Sequence, residues 1–342
     1  MSTMPNLGLR LHGGLDPHRC VELAEAAEAN HFASVWFAEN PFGRGVLPAA
    51  SACAVATRRI GIGIGVWNPY TRHPSLIAME IGALDALAQG RANLGIGSGI
   101  ASAIAKLGVD NKRPLAALRD AFHIVRGLLR GEEVSYSGTV FSADRVKLGY
   151  APPRPDLPLL MAARGDKALA LAGEIADGLM ISNMCPPGFT ARAMEIVRTA
   201  AAKAGRTASP RVVQYVPCAP GADGAQARRA VKPALAAMLK QYWSLAQNVP
   251  SAKVALRHSG IPDADLAGAI DRIAAGDRAE DILDDRFVDA FAIAGSAEQC
   301  RERAGAYARA GVSELALTFI GARPVADIEY LGRALISQER CE

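Results

Sequence analysis

The feature that most limits what this chain can fold into is an alternation kept up along nearly its whole length. A short apolar run of strand length is followed by a stretch of helical length, again and again. Residues 7–11, 33–37, 60–66, 91–96, 157–162, 178–182, 212–217 and 314–319 predict eight strands. Between them, Asp16 caps a helix that has Pro17 in its first turn, and residues 46–57, 74–88, 114–129 and 325–336 supply further helices. Eight βα units of this kind predict a (β/α)8 TIM barrel, with an open doubly wound sheet as the rival. Two segments fall outside the repeat. Residues 131–150 predict a small hairpin, and residues 218–285 a long, mostly helical insertion after strand seven. The whole of 1–342 then reads as one barrel domain.

Composition narrows the partners. Half of the 342 residues are apolar and 21% are charged, and 38 basic against 34 acidic side chains leave only +4. That is a globular chain with no charge excess that calls for nucleic acid or an anionic membrane. No apolar run reaches the ~18 residues of a membrane span. Met1 to Asn6 lack the basic flank and apolar core of a secretory leader, so a cytoplasmic protein is expected. The six cysteines (20, 53, 185, 218, 300, 341) form no CxxC, and the six histidines form no HxH or HxxxH. Reduced thiols and no metal site follow.

Alternation along the strands selects the residues at the barrel mouth, where the active sites of such barrels lie. Leu7, Leu9 and Leu11 share the outward face of strand one, which turns Gly8 and Arg10 to the axis. Glu39 and Asn40 end strand two, and Trp67 and Asn68 follow strand three. Ser98 and Gly99 end strand four, Arg164 and Gly165 strand five, and Ser182 and Asn183 strand six. Loop Ser and Asn residues often serve as caps and turns. An arginine within an apolar strand needs a partner or an anionic ligand when buried. The glycine row at 61, 63, 65, 95, 97 and 99 marks either close approach of a ligand or tight packing. Residues 95–99 also resemble a phosphate-cradling turn without matching GxGxxG. Cys185 follows strand six with no identifiable base.

Five stretches resemble one family. They are Gly65-Val-Trp-Asn-Pro-Tyr-Thr-Arg-His-Pro74, Trp36-Phe-Ala-Glu-Asn40, Gly90-Arg-Ala-Asn-Leu-Gly-Ile-Gly-Ser-Gly99, Leu171-Ala-Gly-Glu-Ile-Ala-Asp-Gly178 and Arg257-His-Ser-Gly-Ile-Pro-Asp263. In order and spacing they are similar to the methylenetetrahydromethanopterin reductases, deazaflavin-dependent members of the bacterial luciferase-like superfamily. The resemblance implies a barrel with an isoalloxazine-like ring across its mouth and a cis Gly65–Val66 bond behind that ring. It also implies a homodimer formed through helices near strands three and four. Cofactor contacts would fall to Glu39, Asn40, Gly65, Val66, Ser98, Gly99, Ala162, Ala163, Gly165 and Ser182. Coenzyme F-420 is the implied cofactor, with FMN as the alternative.

Departures from the family matter too. Arg10 stands where the pterin reductases carry a glutamate, Arg164 where they carry a glutamine, and Ile100 where they carry an acid. Glu39 and Asn40 replace the usual Asp and His. Two guanidinium groups in a water-poor mouth favour an anionic substrate or a developing negative charge, and their mutual repulsion is strong unless an acid such as Glu39 or a bound anion separates them. The expected activity is hydride transfer between F-420 and a small, anionic or pterin-like substrate. Arg10, Glu39 and Arg164 are the candidate catalytic groups, and Glu39 or an ordered water the proton source. Three other readings stay open. They are an FMN-dependent monooxygenase, a cofactor-binding protein without turnover, and a cofactor-free barrel lyase or isomerase.

Overall fold

The computed structural model describes residues 4–336, so Cys341 and the first three residues lie outside the described part. Eight parallel strands pair in chain order: Asn6–His12, Ser34–Ala38, Gly61–Trp67, Ala92–Ile96, Leu159–Ala162, Gly178–Ile181, Arg211–Pro220 and Glu314–Phe319. Strand eight pairs with strand one, and strand six with strand seven. The ring is therefore closed, and the open-sheet alternative is excluded.

Sequence and structure differ at a few edges for local reasons. Strand five starts at Leu159 because Pro158 has no N–H for a ladder. Strand seven runs on to Pro220, where its last three residues pair with a short extra strand, Ile293–Gly295. The helical insertion therefore begins after 220, later than expected, and its last helix ends at Phe291. The hairpin is present as Val134–Ser137 against Ser142–Val146. Its turn is tied down by Asp120, whose carboxylate accepts from the Val140 and Phe141 N–H groups and the Tyr136 hydroxyl.

Leu7, Leu9 and Leu11 face outward and pack with Cys20, Leu23, Ala24 and Ala27 of the first helix. Inside the barrel a separate cluster fills the axis: Trp36, Leu160, Met180, Val213, Tyr215 and Ala316, with Val66 and Ala162 above. The glycine row exists for these side chains. A Cβ on Gly63 would strike the Trp36 ring, one on Gly65 the Tyr215 hydroxyl, and one on Gly95 the Met180 sulfur. Tight packing is thus the reading that holds for these three. Below the cluster, Glu314 is 2% exposed and accepts from Ser34 Oγ, from Trp36 Nε1 (2.7 Å) and from Arg211 Nη2 (2.6 Å).

The five described cysteines are all free and buried. Burial pushes the Cys185 thiol up to about 11 and those of Cys53 and Cys300 up to about 12, against an ordinary value of 9.0. A folded value above the unfolded one makes the contribution to stability complete below pH ~9 and lost as the pH climbs towards 11–12. Unfolding midpoints should therefore fall steadily above pH ~9. Native protein at neutral pH should leave these three thiols unlabelled by iodoacetamide.

Candidate active site

The large cavity of the molecule, about 970 Å³, opens at the C-terminal ends of the strands. Its floor is apolar: Val66, Gly97, Ala162 and Met180. Ser98, Gly99, Ala163, Arg164 and Ser182 come from the loops after strands four, five and six. Glu39 and Asn40 wall it on the strand-two side. Across the top lies the Gly224–Asn248 helix of the insertion, which contributes Gln241, Tyr242, Leu245 and Asn248. That insertion has a largely separate core, with Val231, Leu235, Leu239, Leu256, Leu266, Phe287 and Phe291 buried together. At the opposite, N-terminal end of the barrel a hollow of about 500 Å³ is lined by Glu28, whose carboxylate accepts the N–H groups of Arg58, Arg59 and Ile60. That face of a barrel serves stability rather than chemistry.

Local structure explains how several of these groups are held. The Gly65–Val66 peptide is cis. The Gly65 carbonyl lies behind the floor and accepts from the Tyr215 hydroxyl at 2.8 Å, so it is Val66 that lines the cavity. The strand register shifts between Gly65 and Trp67. This bulge reverses the alternation, so Trp67 does not reach the mouth as expected but is wholly buried in the outer core. Asn68 does line the cavity, and its side chain accepts from the Tyr70 and Thr71 N–H groups. Asn40 Oδ1 accepts from the Gly13 N–H at 3.0 Å, tying the loop after strand one to the loop after strand two. Gly99 has φ of 71°, a conformation that suits glycine, and it leads into a short helix, Ala101–Lys106, that the sequence reading did not anticipate. Gly165 stands outside the lining, as the N-cap of the Asp166–Ile175 helix against Ser251.

Glu39 does not separate the two mouth arginines. It pairs with Arg72 at 3.3 Å, and Arg72 also reaches Glu80 at 2.7 Å and lies over the Trp67 ring. Arg10 lies below the cavity lining, with its guanidinium 4.8 Å from the Tyr215 ring centre and one N–H donated to Thr318 Oγ1 at 3.1 Å. Its Nε is buried without a partner, and burial lowers its pKa from the ordinary value. Arg164 stacks 5.5 Å from the Tyr242 ring centre, and its Nε is likewise buried and unpartnered. Among the described ion pairs, none engages Arg10 or Arg164. Tyrosine rings take the place of the missing carboxylate.

A family model described as luciferase-like monooxygenase matches residues 1–314. The chain belongs to the luciferase-like monooxygenase family. Within that family it is 30% identical over 320 residues to the 5,10-methylenetetrahydromethanopterin reductase of Methanolobus tindarius, covering 92% of this chain and 94% of that one. The reductase of the same name from Archaeoglobus fulgidus is 31% identical over 318 residues, covering 91% and 92%. The solved coenzyme F420 dependent tetrahydromethanopterin reductase from Methanopyrus kandleri superposes with a TM-score of 0.86 at 26% identity, over 98% of this chain and 99% of that one.

Arg72 and Tyr242 are two of the several lining residues of this luciferase-like barrel that had no place in the sequence reading. Arg72 lies inside the quoted run 65–74 but was given no role, since its partner Glu39 comes from another strand. Tyr242 carried no signal at all. It is one of several aromatic and apolar residues on a 25-residue helix, and the face turned to the mouth is set by tertiary packing.

Proposed function

We propose that the mouth holds coenzyme F-420 and that the protein is an oxidoreductase moving a hydride between that coenzyme and a small substrate. The observation that carries this reading is the apolar cavity floor of Val66, Gly97 and Ala162. A Cβ on Gly97 would lie 2.9 Å from Val66 Cγ2 and 3.1 Å from Ala162 Cβ, so the floor is kept flat by a residue with no side chain. A planar ring system fits such a floor, with Ser98, Ser182 and Asn68 offering hydrogen bonds at its edges. When bound, F-420 would supply a two-electron hydride carrier. The Methanolobus and Archaeoglobus relatives are named as reductases, which supports the oxidoreductase reading, and the Methanopyrus structure is named as coenzyme F420 dependent, which supports the coenzyme. Val66, Gly97, Ala162 and Ala163 would hold the ring. The insertion helix would exclude water.

The substrate reading turns on Arg10, Arg164 and Ile100. The two guanidinium groups favour a substrate that is anionic or gains negative charge, and Ile100, 54% exposed beside the opening, offers no acid to a pterin. Val55, Leu76, Met79 and Leu87, exposed on the helices after strands two and three, support a homodimer. No described helix is long and apolar enough to cross a membrane. The free cysteines support a cytoplasmic setting.

Titrating the purified protein with F-420 and with FMN tests the cofactor. Saturable quenching of F-420 fluorescence, with FMN unable to compete, is the expected result. Preferential FMN binding with oxygen consumption would replace this reading with a monooxygenase. F-420 binding without turnover over a wide panel of acceptors would leave a binding protein.

A further inference from the structure

Resting on the hydride-transfer reading, we propose that Tyr242, brought to the mouth by the helical insertion, is the proton donor and acceptor for the substrate's oxygen. The substrate class is then a carbonyl–alcohol pair rather than a C=N compound.

The argument begins with position. Tyr242 lines the cavity together with Ser182, its ring lies 5.5 Å from the Arg164 guanidinium carbon, and the Ser182 hydroxyl favours its ionised form. Arg10 bears on it from below. Three other candidate acids near the mouth are committed elsewhere. Glu39 is held by Arg72, the Tyr215 hydroxyl donates to the Gly65 carbonyl, and the Cys185 thiol is buried. Tyr242 lines the cavity, and among the described hydrogen bonds none ties its hydroxyl to a backbone group.

Charge then decides the substrate class. Reduction of a carbonyl by hydride places negative charge on oxygen, whereas reduction of C=N proceeds through a cationic iminium. Two guanidinium groups without carboxylate partners favour the first and oppose the second. In the reductive direction the carbonyl carbon accepts a hydride, with its electron pair, from reduced F-420, and the π pair moves to oxygen. The Oη–H bond of Tyr242 breaks and an O–H bond forms on the substrate. The bonding pair stays on Tyr242 as tyrosinate, held by Arg10, Arg164 and the Ser182 hydroxyl, until water at the mouth returns the proton. Burial and Cys185 hold the Tyr242 pKa above its ordinary value, and Ser182, Arg164 and Arg10 oppose that rise. The resting group at neutral pH is therefore the protonated donor.

The test compares wild type, Tyr242→Phe and Arg164→Met. In the coenzyme-free full chain, the ultraviolet tyrosinate titration of wild type minus Tyr242→Phe should contain one discrete step. Arg164→Met should move that step up by about one pH unit or more. With reduced F-420 and a probe panel of small ketones, aldehydes and the cyclic imine 1-pyrroline, wild type should reduce a carbonyl probe. Tyr242→Phe should lose roughly 10²–10⁴ of kcat on that probe with KM little changed, and should bind F-420 as wild type does. A tyrosinate step unmoved by Arg164→Met overturns the proposal. So does full kcat in Tyr242→Phe, or turnover of the imine with none of the carbonyls. Failure of wild type to bind F-420 would instead sink the coenzyme assignment, and the titration would still judge the charge coupling.

Discussion

Replacing Arg211 by methionine is expected to cost about 3–5 kcal/mol of folding stability while leaving the mouth of the barrel intact. Glu314 is buried at the N-terminal end of the barrel axis, and the Arg211 guanidinium, 2.6 Å away, is its charge partner. Without it the buried carboxylate keeps the Ser34 hydroxyl and the Trp36 indole N–H as donors but has no counter-charge. Arg211 also donates to Asn93 Oδ1, so one substitution disturbs groups from strands two, four, seven and eight. Urea unfolding of Arg211→Met gives the magnitude. Adding Glu314→Gln should recover a large part of the loss, because the cost lies in the orphaned charge rather than in lost packing. No recovery in the double variant would mean that the guanidinium acts chiefly as a space-filling stem.

Arg10→Met is expected to act in the opposite sense on stability. The ligand-free protein should become more stable by roughly 1–3 kcal/mol, and turnover should be lost. Arg10 sits deep in the barrel with one hydrogen bond to Thr318, an unpartnered Nε and the Tyr215 ring in place of an anion. The ring and the threonine offset only part of the cost of removing a cation from water. That a chain keeps such a residue points to what it does for a bound molecule rather than for the fold. Thermal midpoints of the two proteins without ligand, beside their rates with reduced F-420, give both numbers. A variant less stable than wild type would show that Arg10 is compensated in the resting protein.

The barrel was legible because its signal is periodic and local. Leu7, Leu9 and Leu11 take the outward face that alternation assigns, and Asp16 with Pro17 starts the helix it should, the Asp16 carboxylate accepting from the His18 N–H. What the sequence withheld depends on partners distant along the chain. The glycines at 63, 65 and 95 make sense only once Trp36, Tyr215 and Met180 are seen pointing at them from other strands. Trp67 was misplaced because one bulge reverses alternation, and nothing in the local pattern marks it. Glu39 was named as a proton source without its ion pair because Arg72, its partner, follows a different strand. Residues from the strand ends could be named in advance. Tyr242 could not, since a helix that arches over a barrel can present any of its faces.

The insertion with its own apolar interior has an evolutionary consequence. Because Leu235, Leu239, Leu266 and Phe287 steady the cap largely among themselves, it behaves as a cassette. Swapping it among barrels of similar girth would retune what enters the chamber while the chassis beneath keeps its apolar floor.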